Sequence, residues 1–426
     1  VWKLTWPVRY LREKLHKPFF FTEFPDMQNI MAKAPPVLPV KLSVVVPAFQ
    51  GEKELPVLLE SLKAQKGFRE IEYITVVTQS VDGTCDVARR YNAKVLSISR
   101  QAFSHSAARN LGAQHAQGEL LFFTVQDACF NQPDILYKMA CMLLYAGADA
   151  VSCRQAPNCS ADMMAKYEVQ QNIITKKNNS RDHVDKMQRT PKAFREWEPM
   201  LYIDDVAHMT KRNVWENHPF RGSFAEDMLY AADLLRAGCR TGMLCSAQVC
   251  HSHTRGGVSA FWRAYQAGTG LLENWSRQLP PERTACRRTA SQEAALFDAY
   301  MRGLAALYEE EKPFLKKREA ACVVLTRMRA FLQAGLIGVD KAGVSDKLHV
   351  LAQASPEITA VPELLGTLGE MNQFFLQEKI ISLDEKGKTE LFSMLVKLIF
   401  QYTGHALAFA QGSKGALPEL LNGLAL

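Results

Sequence analysis

From Leu42 onward the chain alternates short apolar runs with segments whose apolar residues recur at helical spacing, and few architectures accept that alternation. Leu42–Val46, closed by Pro47, is too short and too uniformly apolar for anything but a buried strand. Leu55, Leu58, Leu59 and Leu62 then repeat at the spacing of one helix face. Tyr73–Val77, Lys94–Ile98, Leu120–Val125 and Ala150–Cys153 continue the strand series. Helices through Val87–Tyr91 and Ala107–His115 lie between them, and a third runs from Pro133 to a stop at Gly147. Strands and helices in this order predict an α/β fold, a mainly parallel sheet flanked by helices on both faces. Ligands of such sheets bind beyond the carboxyl ends of the strands, so the loops after Val46, Val77 and Val125 are the places to look for chemistry.

The flanks differ from this core. Residues 155–200 are polar and irregular, too long for a plain connector and therefore expected to serve a function or to move. After about residue 270 the strand signals stop. Leu304–Tyr308, Val323–Leu336 and Leu391–Phe409 read as helices, so 271–426 is expected to be an all-helical C-terminal region. At the other end, residues 1–40 mix Trp2, Trp6 and Tyr10 with Lys3, Arg9, Arg12, Lys14 and Lys17 before Phe19–Phe21. Such a segment suits an anionic membrane interface, and it equally suits a strap packed across the main domain. Pro35, Pro36 and Pro39 mark a linker to the sheet domain at 41–270.

Composition narrows the classes. The net charge of +7 is scattered, whereas nucleic-acid binders gather theirs in stripes; no nucleic-acid partner is expected. The ten cysteines form no CxxC pair and several fall in apolar patterns, as free thiols of a reducing cytoplasm do. No signal-peptide pattern opens the sequence. Leu391–Ala410, the most apolar window, carries Lys397, Gln401 and His405 and is not a membrane span. The expectation is a cytoplasmic protein, with peripheral attachment to the inner membrane face through its N-terminal segment.

Five segments carry the chemistry. The loop after the first strand reads Pro47-Ala48-Phe49-Gln50-Gly51-Glu52. Arg109, near a helix start, and Asp127, at a strand end, make a pair able to clamp a diphosphate and to hold the divalent cation that neutralises it. Ser223 and Glu226 fit a capping box, leaving Asp227 in the first turn, where a helix N-terminus favours the ionised form that a general base needs. His251 and His253, at i and i+2 past a strand ending near Cys250, are a candidate ligand pair. Beside them stand blander readings. Asp82-Gly83 is also a common turn, Glu226 also a cap, and Trp197 and Trp215 also core residues. Asp204 and Asp205, on an expected strand Tyr202–Met209, are either polar site residues or a solvated corner.

Taken in order, the VVPAF-x-x-E start, ARN-x-G, the strand ending in Gln126-Asp127-Ala128, the Glu226-Asp227 pair and His-Ser-His resemble the family 2 glycosyltransferases of GT-A fold. The match is best with the bacterial rhamnosyltransferase-like branch and covers about residues 41–270. The resemblance implies donor contacts from Pro47, Ala48, Phe49, Glu52, Ser80, Asp82, Arg109, Asn110, Gln126 and Asp127. It implies a catalytic base at Asp227 with Glu226 beside it, and a Mn²⁺ or Mg²⁺ site at Asp127, His251 and His253. Two departures stand out: Val125 replaces the leading acid of the family's DXD motif, and Thr78 replaces an acid that contacts the base. The implied reaction is inverting transfer of rhamnose or another hexose from a dTDP- or UDP-linked donor to a saccharide or lipid-linked saccharide. Loss of the leading acid leaves a second reading, a catalytically weak scaffold of a glycan-assembly complex. A sugar nucleotidyltransferase would want a glycine-rich, lysine-bearing loop after the first strand, and that loop is missing.

Overall fold

A computed structural model describes residues 19–162, 164–169, 181–254 and 257–275, together with Lys397, Gln401 and Ala408. The aromatic and basic residues before Phe19, Arg255, and most of the helices expected after 275 lie outside the described residues.

Runs apolar at every position need cover on both faces, and the sheet supplies it. Strands β2 (Leu42–Ala48), β3 (Ile71–Thr78), β4 (Lys94–Ile98) and β5 (Leu120–Thr124) are parallel neighbours in the order β5-β2-β3-β4. Alternation divides their side chains between two cores. Leu42, Val44, Val46, Leu120 and Phe122 face one, with α2 (Leu55–Lys63), α3 (Thr84–Arg90) and α5 (Ile135–Leu144). Val45, Val76, Leu121 and Phe123 face the other, with α4 (His105–Gln114). These elements fall where the periodicity puts them, with ends shifted by a few residues.

Beyond β5 the sheet becomes mixed. Nine strands run in the order β1-β7-β9-β6-β8-β5-β2-β3-β4, adding β1 (Phe20–Glu23), β6 (Ala150–Ala156), β7 (His183–Met187), β8 (Ala207–Lys211) and β9 (Arg240–Cys250). The pairs β5·β8, β6·β8, β7·β9 and β1·β7 are antiparallel, and β6·β9 is parallel. The irregular stretch 155–200 therefore contains a strand, β7, and also α6 (Phe194–Trp197). The strand expected at Tyr202–Met209 begins only at Ala207, because Asp204 turns the chain: its carboxylate accepts the Val206 amide at 3.1 Å. Two further helices, α7 (Arg212–Asn217) and α8 (Glu226–Arg236), precede β9, and α9 (Gly257–Trp275) follows it.

Residues 19–38 pack on the sheet domain. β1 pairs with β7, and α1 (Met27–Lys33), capped by Asp26, sinks Met27 into the first core. The Tyr137 hydroxyl donates to the Pro35 carbonyl at 3.0 Å. Lys397, Gln401 and Ala408 are helical and buried, at the i, i+4, i+11 spacing of a single face. None of the eight described cysteines is in a disulfide.

Candidate active site

Because β2, β3 and β5 are parallel, their carboxyl ends reach one edge of the sheet, and the three loops there bind one another. The Gln126 amide accepts from the Phe49 backbone amide at 2.8 Å and donates to the Phe49 carbonyl at 3.1 Å. Ser80 accepts from the Gln50 amide at 2.9 Å and Thr84 from the Gly51 amide at 2.8 Å. Asp82 accepts from the Glu52 amide at 3.1 Å and from the Thr84 amide and hydroxyl, while Glu52 accepts from the Gly83 amide. Burial would raise the Asp82 pKa, but the Thr84 hydroxyl and the amides outweigh it and hold it below the usual carboxylate range. Asp82 and Glu52 thus spend their oxygens on the loops. Gln50 and Gln79, which follow β2 and β3, both take positive φ. A Cβ on Gly51 would lie 2.8 Å from the Gln126 oxygen, so only glycine lets Gln126 close the bracket. Pro47 and Ala48, expected in the loop, are the last two residues of β2, and Ala48 is buried. Phe49 is exposed, with the Arg100 guanidinium 5.0 Å above its ring.

Arg109 and Asn110, expected at the donor, are both held by other groups of the protein. Arg109 is 3% exposed, with Nε 3.1 Å from Asp205 and Nη1 2.5 Å from Glu226. It therefore neutralises two buried carboxylates. Asn110 donates to the Phe220 carbonyl and accepts from the Trp215 indole and the Phe220 amide, pinning the segment ahead of α8. Trp215 and Trp197 are buried in the second core.

The capping box is a further correction. α8 starts at Glu226, its N-cap is Ala225 at φ 54°, and Glu226 binds Arg109 in place of a backbone amide. Asp227 is in the first turn, as expected, half-buried and accepting the Met228 amide at 2.7 Å. Burial pushes its carboxyl well above the usual range, and the charges of Glu226, Asp205 and Asp204 push it further. Arg109 has the opposite effect on Asp205: burial would raise that carboxyl, but the guanidinium and a hydrogen bond from His208 at 3.0 Å hold it low. The cluster thus divides its carboxylates, pairing Asp205 and Glu226 with a cation and leaving Asp227 as the group with raised proton affinity. This raised proton affinity contrasts with the freely ionised aspartate expected from the helix N-terminus.

The third part of the site converges on Asp127. Its carboxylate lies 3.2 Å from His253 Nδ1 and 3.7 Å from His251 Nε2, and the two Nε2 atoms are 3.1 Å apart. One ligand atom from each residue lies within 4.8 Å of the others, the spacing of donors around one divalent ion. The histidines lie beyond the end of β9, so strand alternation does not aim them. Paired amides and carbonyls of Cys129 and Cys250, both at 2.9 Å, bring the Asp127 turn against the end of β9. The β6·β9 register shift between Cys153 and Arg154 swings that end, and Asp182 stabilises the bulge by accepting from Cys245, Ser246 and the Ser246 hydroxyl at 2.7 Å each. Gln155 holds His251 Nδ1 at 3.0 Å and donates to Asp204, whose field also reaches Asp227. Val125, where the family's first acid stands, packs on the first core and offers no ligand. The donor set of two imidazoles and a carboxylate fits a divalent transition ion such as Mn²⁺ better than Mg²⁺, which takes oxygen ligands.

The bracketed loops, the Asp227 cluster and the Asp127 triad draw on segments scattered from residue 47 to residue 253. Sequence reasoning missed Gln155 and the pairing of Asp205 with Arg109. Gln155 carries no local signal; Asp205 does, because a buried arginine requires a partner.

Residues 43–205 match the family model described as Glycosyl transferase family 2. The O-antigen chain rhamnosyltransferase RfbN of Salmonella typhimurium is 23% identical over 235 residues, which are 54% of this chain and 72% of that protein. The O-antigen chain rhamnosyltransferase WbaN of Salmonella anatum is 25% identical over 206 residues, 46% of this chain and 61% of that protein. Among solved structures, the mannosyltransferase PcManGT of Pyrobaculum calidifontis, in complex with GDP-Man and Mn²⁺, is similar with a TM-score of 0.42. It is 15% identical, and the alignment covers 89% of this chain and 92% of that one. The family match takes in the bracketed loops and Asp127 and stops short of Asp227, His251 and His253, which the fold carries to the same sheet edge. Over residues 43–205 the chain is thus similar to the family 2 glycosyltransferases, and its mixed sheet flanked by helices is consistent with the GT-A fold.

Proposed function

We propose that this chain transfers a sugar from a nucleoside-diphosphate donor to a saccharide or lipid-linked saccharide hydroxyl with inversion at the anomeric carbon. The observation that carries the reading is the Asp127–His251–His253 triad, linked through Gln155 and Asp204 to the surroundings of a half-buried Asp227 of raised proton affinity. The donor lies against the bracketed loops at Phe49–Glu52 and Ser80–Asp82, and the diphosphate sits at Asp127. A divalent cation held by the triad supplies charge neutralisation for the departing diphosphate. Asp227 accepts the proton of the acceptor hydroxyl as its oxygen bonds to the anomeric carbon, while the bond from that carbon to the diphosphate oxygen breaks. Rhamnose or a related hexose as the sugar is supported by the two O-antigen rhamnosyltransferase relatives, and dTDP or UDP is the carrier we propose for it.

Nucleotide binding measured with and without Mn²⁺ tests the triad. Asp127→Ala and His251→Ala should each abolish the Mn²⁺ enhancement of UDP or dTDP affinity. Unchanged metal dependence in both would sink the site. The replacement of the leading acid by Val125 favours one alternative, a scaffold of weak activity. A wild type inert towards every donor it binds would support that reading.

Peripheral attachment to an anionic membrane through residues 1–18 is the second part of the proposal, resting on the aromatic and basic residues there. Among the described residues no helix is long and apolar enough to cross a membrane. The truncation that tests attachment must stop at residue 18, because Phe20–Glu23 is a strand of the sheet. Loss of salt-sensitive sedimentation with anionic vesicles is expected, and equal sedimentation of both proteins would refute it.

A further inference from the structure

The segment 158–169 leans on the loop that carries the two histidines. The Asn158 amide donates to the Ser252 hydroxyl at 3.0 Å, and the Asp162 amide to the Thr254 hydroxyl at 3.3 Å. Asp162 also caps the helical residues 164–169, its Oδ1 accepting from the Ala165 amide at 2.9 Å. Its second oxygen accepts from the ammonium of Lys397, 235 residues away in sequence. Four residues on, Gln401 donates to Glu168 at 2.5 Å. Lys397 is 8% exposed and Gln401 6%, so neither is a passing surface contact. Between them a cavity of about 10 Å³ is lined by Asp162, Met164, Glu168, His253, Ala260, Lys397 and Gln401. His253 thus has Asp127 on one side and Lys397 and Gln401 across this cavity on the other.

A buried ammonium is stable only against a matched carboxylate, and removing either partner leaves the other uncompensated. Asp162 is committed three ways: to its helix, to Thr254 and to Lys397. The position of the Ser252–Thr254 backbone, and hence of His253, depends on whether Lys397 is in place. Groups that orient a ligand without touching the metal commonly change metal affinity by about 10–100-fold.

We propose that Lys397 is a positioning residue for the metal site, and that the C-terminal region sets the cation affinity of the Asp127–His251–His253 triad by clamping Asp162. The inference rests on the triad binding a divalent cation. The experiment uses the full chain and the Mn²⁺ ion itself, with bound Mn²⁺ followed by electron paramagnetic resonance in the presence of UDP. Lys397→Met and Asp162→Asn should each weaken Mn²⁺ binding at least about tenfold, within the range for such orienting groups, and leave metal-free UDP affinity unchanged. Lys397→Arg, which keeps the charge and donors, should bind Mn²⁺ close to wild type, and the exchange Lys397→Asp with Asp162→Lys should recover part of the loss. If Asp127→Ala abolishes Mn²⁺ binding while Lys397→Met and Asp162→Asn match wild type, the clamp is refuted and the triad stands. If Asp127→Ala binds Mn²⁺ as wild type does, the triad itself is wrong and the clamp falls with it. Equal weakening in Lys397→Arg and Lys397→Met would also overturn the proposal, since charge and hydrogen bonding would then be irrelevant.

Discussion

Arg109 and Asp227 divide one electrostatic environment between them, and each predicts a different phenotype. Among the described residues Arg109 is the one residue in ion-pair contact with both Asp205 and Glu226. Arg109→Met should destabilise the fold by about 3–5 kcal/mol, the effect of stranding buried charges. Urea denaturation reads this directly. A variant of normal stability whose donor affinity collapsed would instead return the guanidinium to the diphosphate. Asp227 works in the other direction. Its folded pKa lies above its unfolded value, because of burial and then the carboxylates of Glu226, Asp205 and Asp204. Its protonated form therefore stabilises the fold fully below the unfolded pKa of about 4, and that contribution is lost as pH rises through the folded value. Asn cannot ionise, so Asp227→Asn should gain stability relative to wild type as pH rises from about 4, while losing about 10²–10⁴-fold in transfer rate. Wild-type kcat should rise with pH along one limb that the variant's residual activity lacks. A shared limb would assign the base elsewhere.

At the scale of elements, α4 shows why a short motif needs glycine. Gly112 lies over β2, where an added Cβ would come within 2.3 Å of Val45 Cγ1. Gly112→Ala should destabilise the protein by about 1–3 kcal/mol through overpacking, and Val45→Ala should relieve most of it. Thermal denaturation of the single and double variants checks the coupling; additive losses would deny the contact. This is also where the sequence was most legible. β2, β3, β4 and β5 announce themselves by apolar runs and their helices by spacing, because both faces of that half-sheet are covered. Legibility fades where geometry is tertiary. β7 reads His183-Val184-Asp185-Lys186-Met187, and its buried His183 and Asp185 resemble no strand core until Tyr202 and β9 surround them. Asp127, Asp227, His251 and His253 stood out by residue type and order. Arg109, Asn110 and Glu226 stood out by the same signals, yet their atoms turned inward, because motif order does not reveal which side chains a packed segment buries.

At the scale of the whole molecule, a site built from distant segments couples ligand binding to global stability. A nucleoside diphosphate with Mn²⁺ at about one hundred times its Kd should add about 2.7 kcal/mol to unfolding, raising Tm in a concentration-dependent way. Mn²⁺ alone should raise it far less, since one carboxylate and two imidazoles leave much of the coordination shell to the nucleotide. Equal shifts would argue for a metal site independent of the donor. The sheet order has a consequence for biosynthesis as well. β9, the last strand among the described residues, does not add to an edge: it inserts between β7 and β6. Until Cys250 has left the ribosome, the nascent chain carries two open strand edges facing each other across a missing strand, the template on which other chains pair. Pauses in translation before residue 240 are thus the moments of greatest aggregation hazard, and a chaperone that shields β6 and β7 would matter only in that interval.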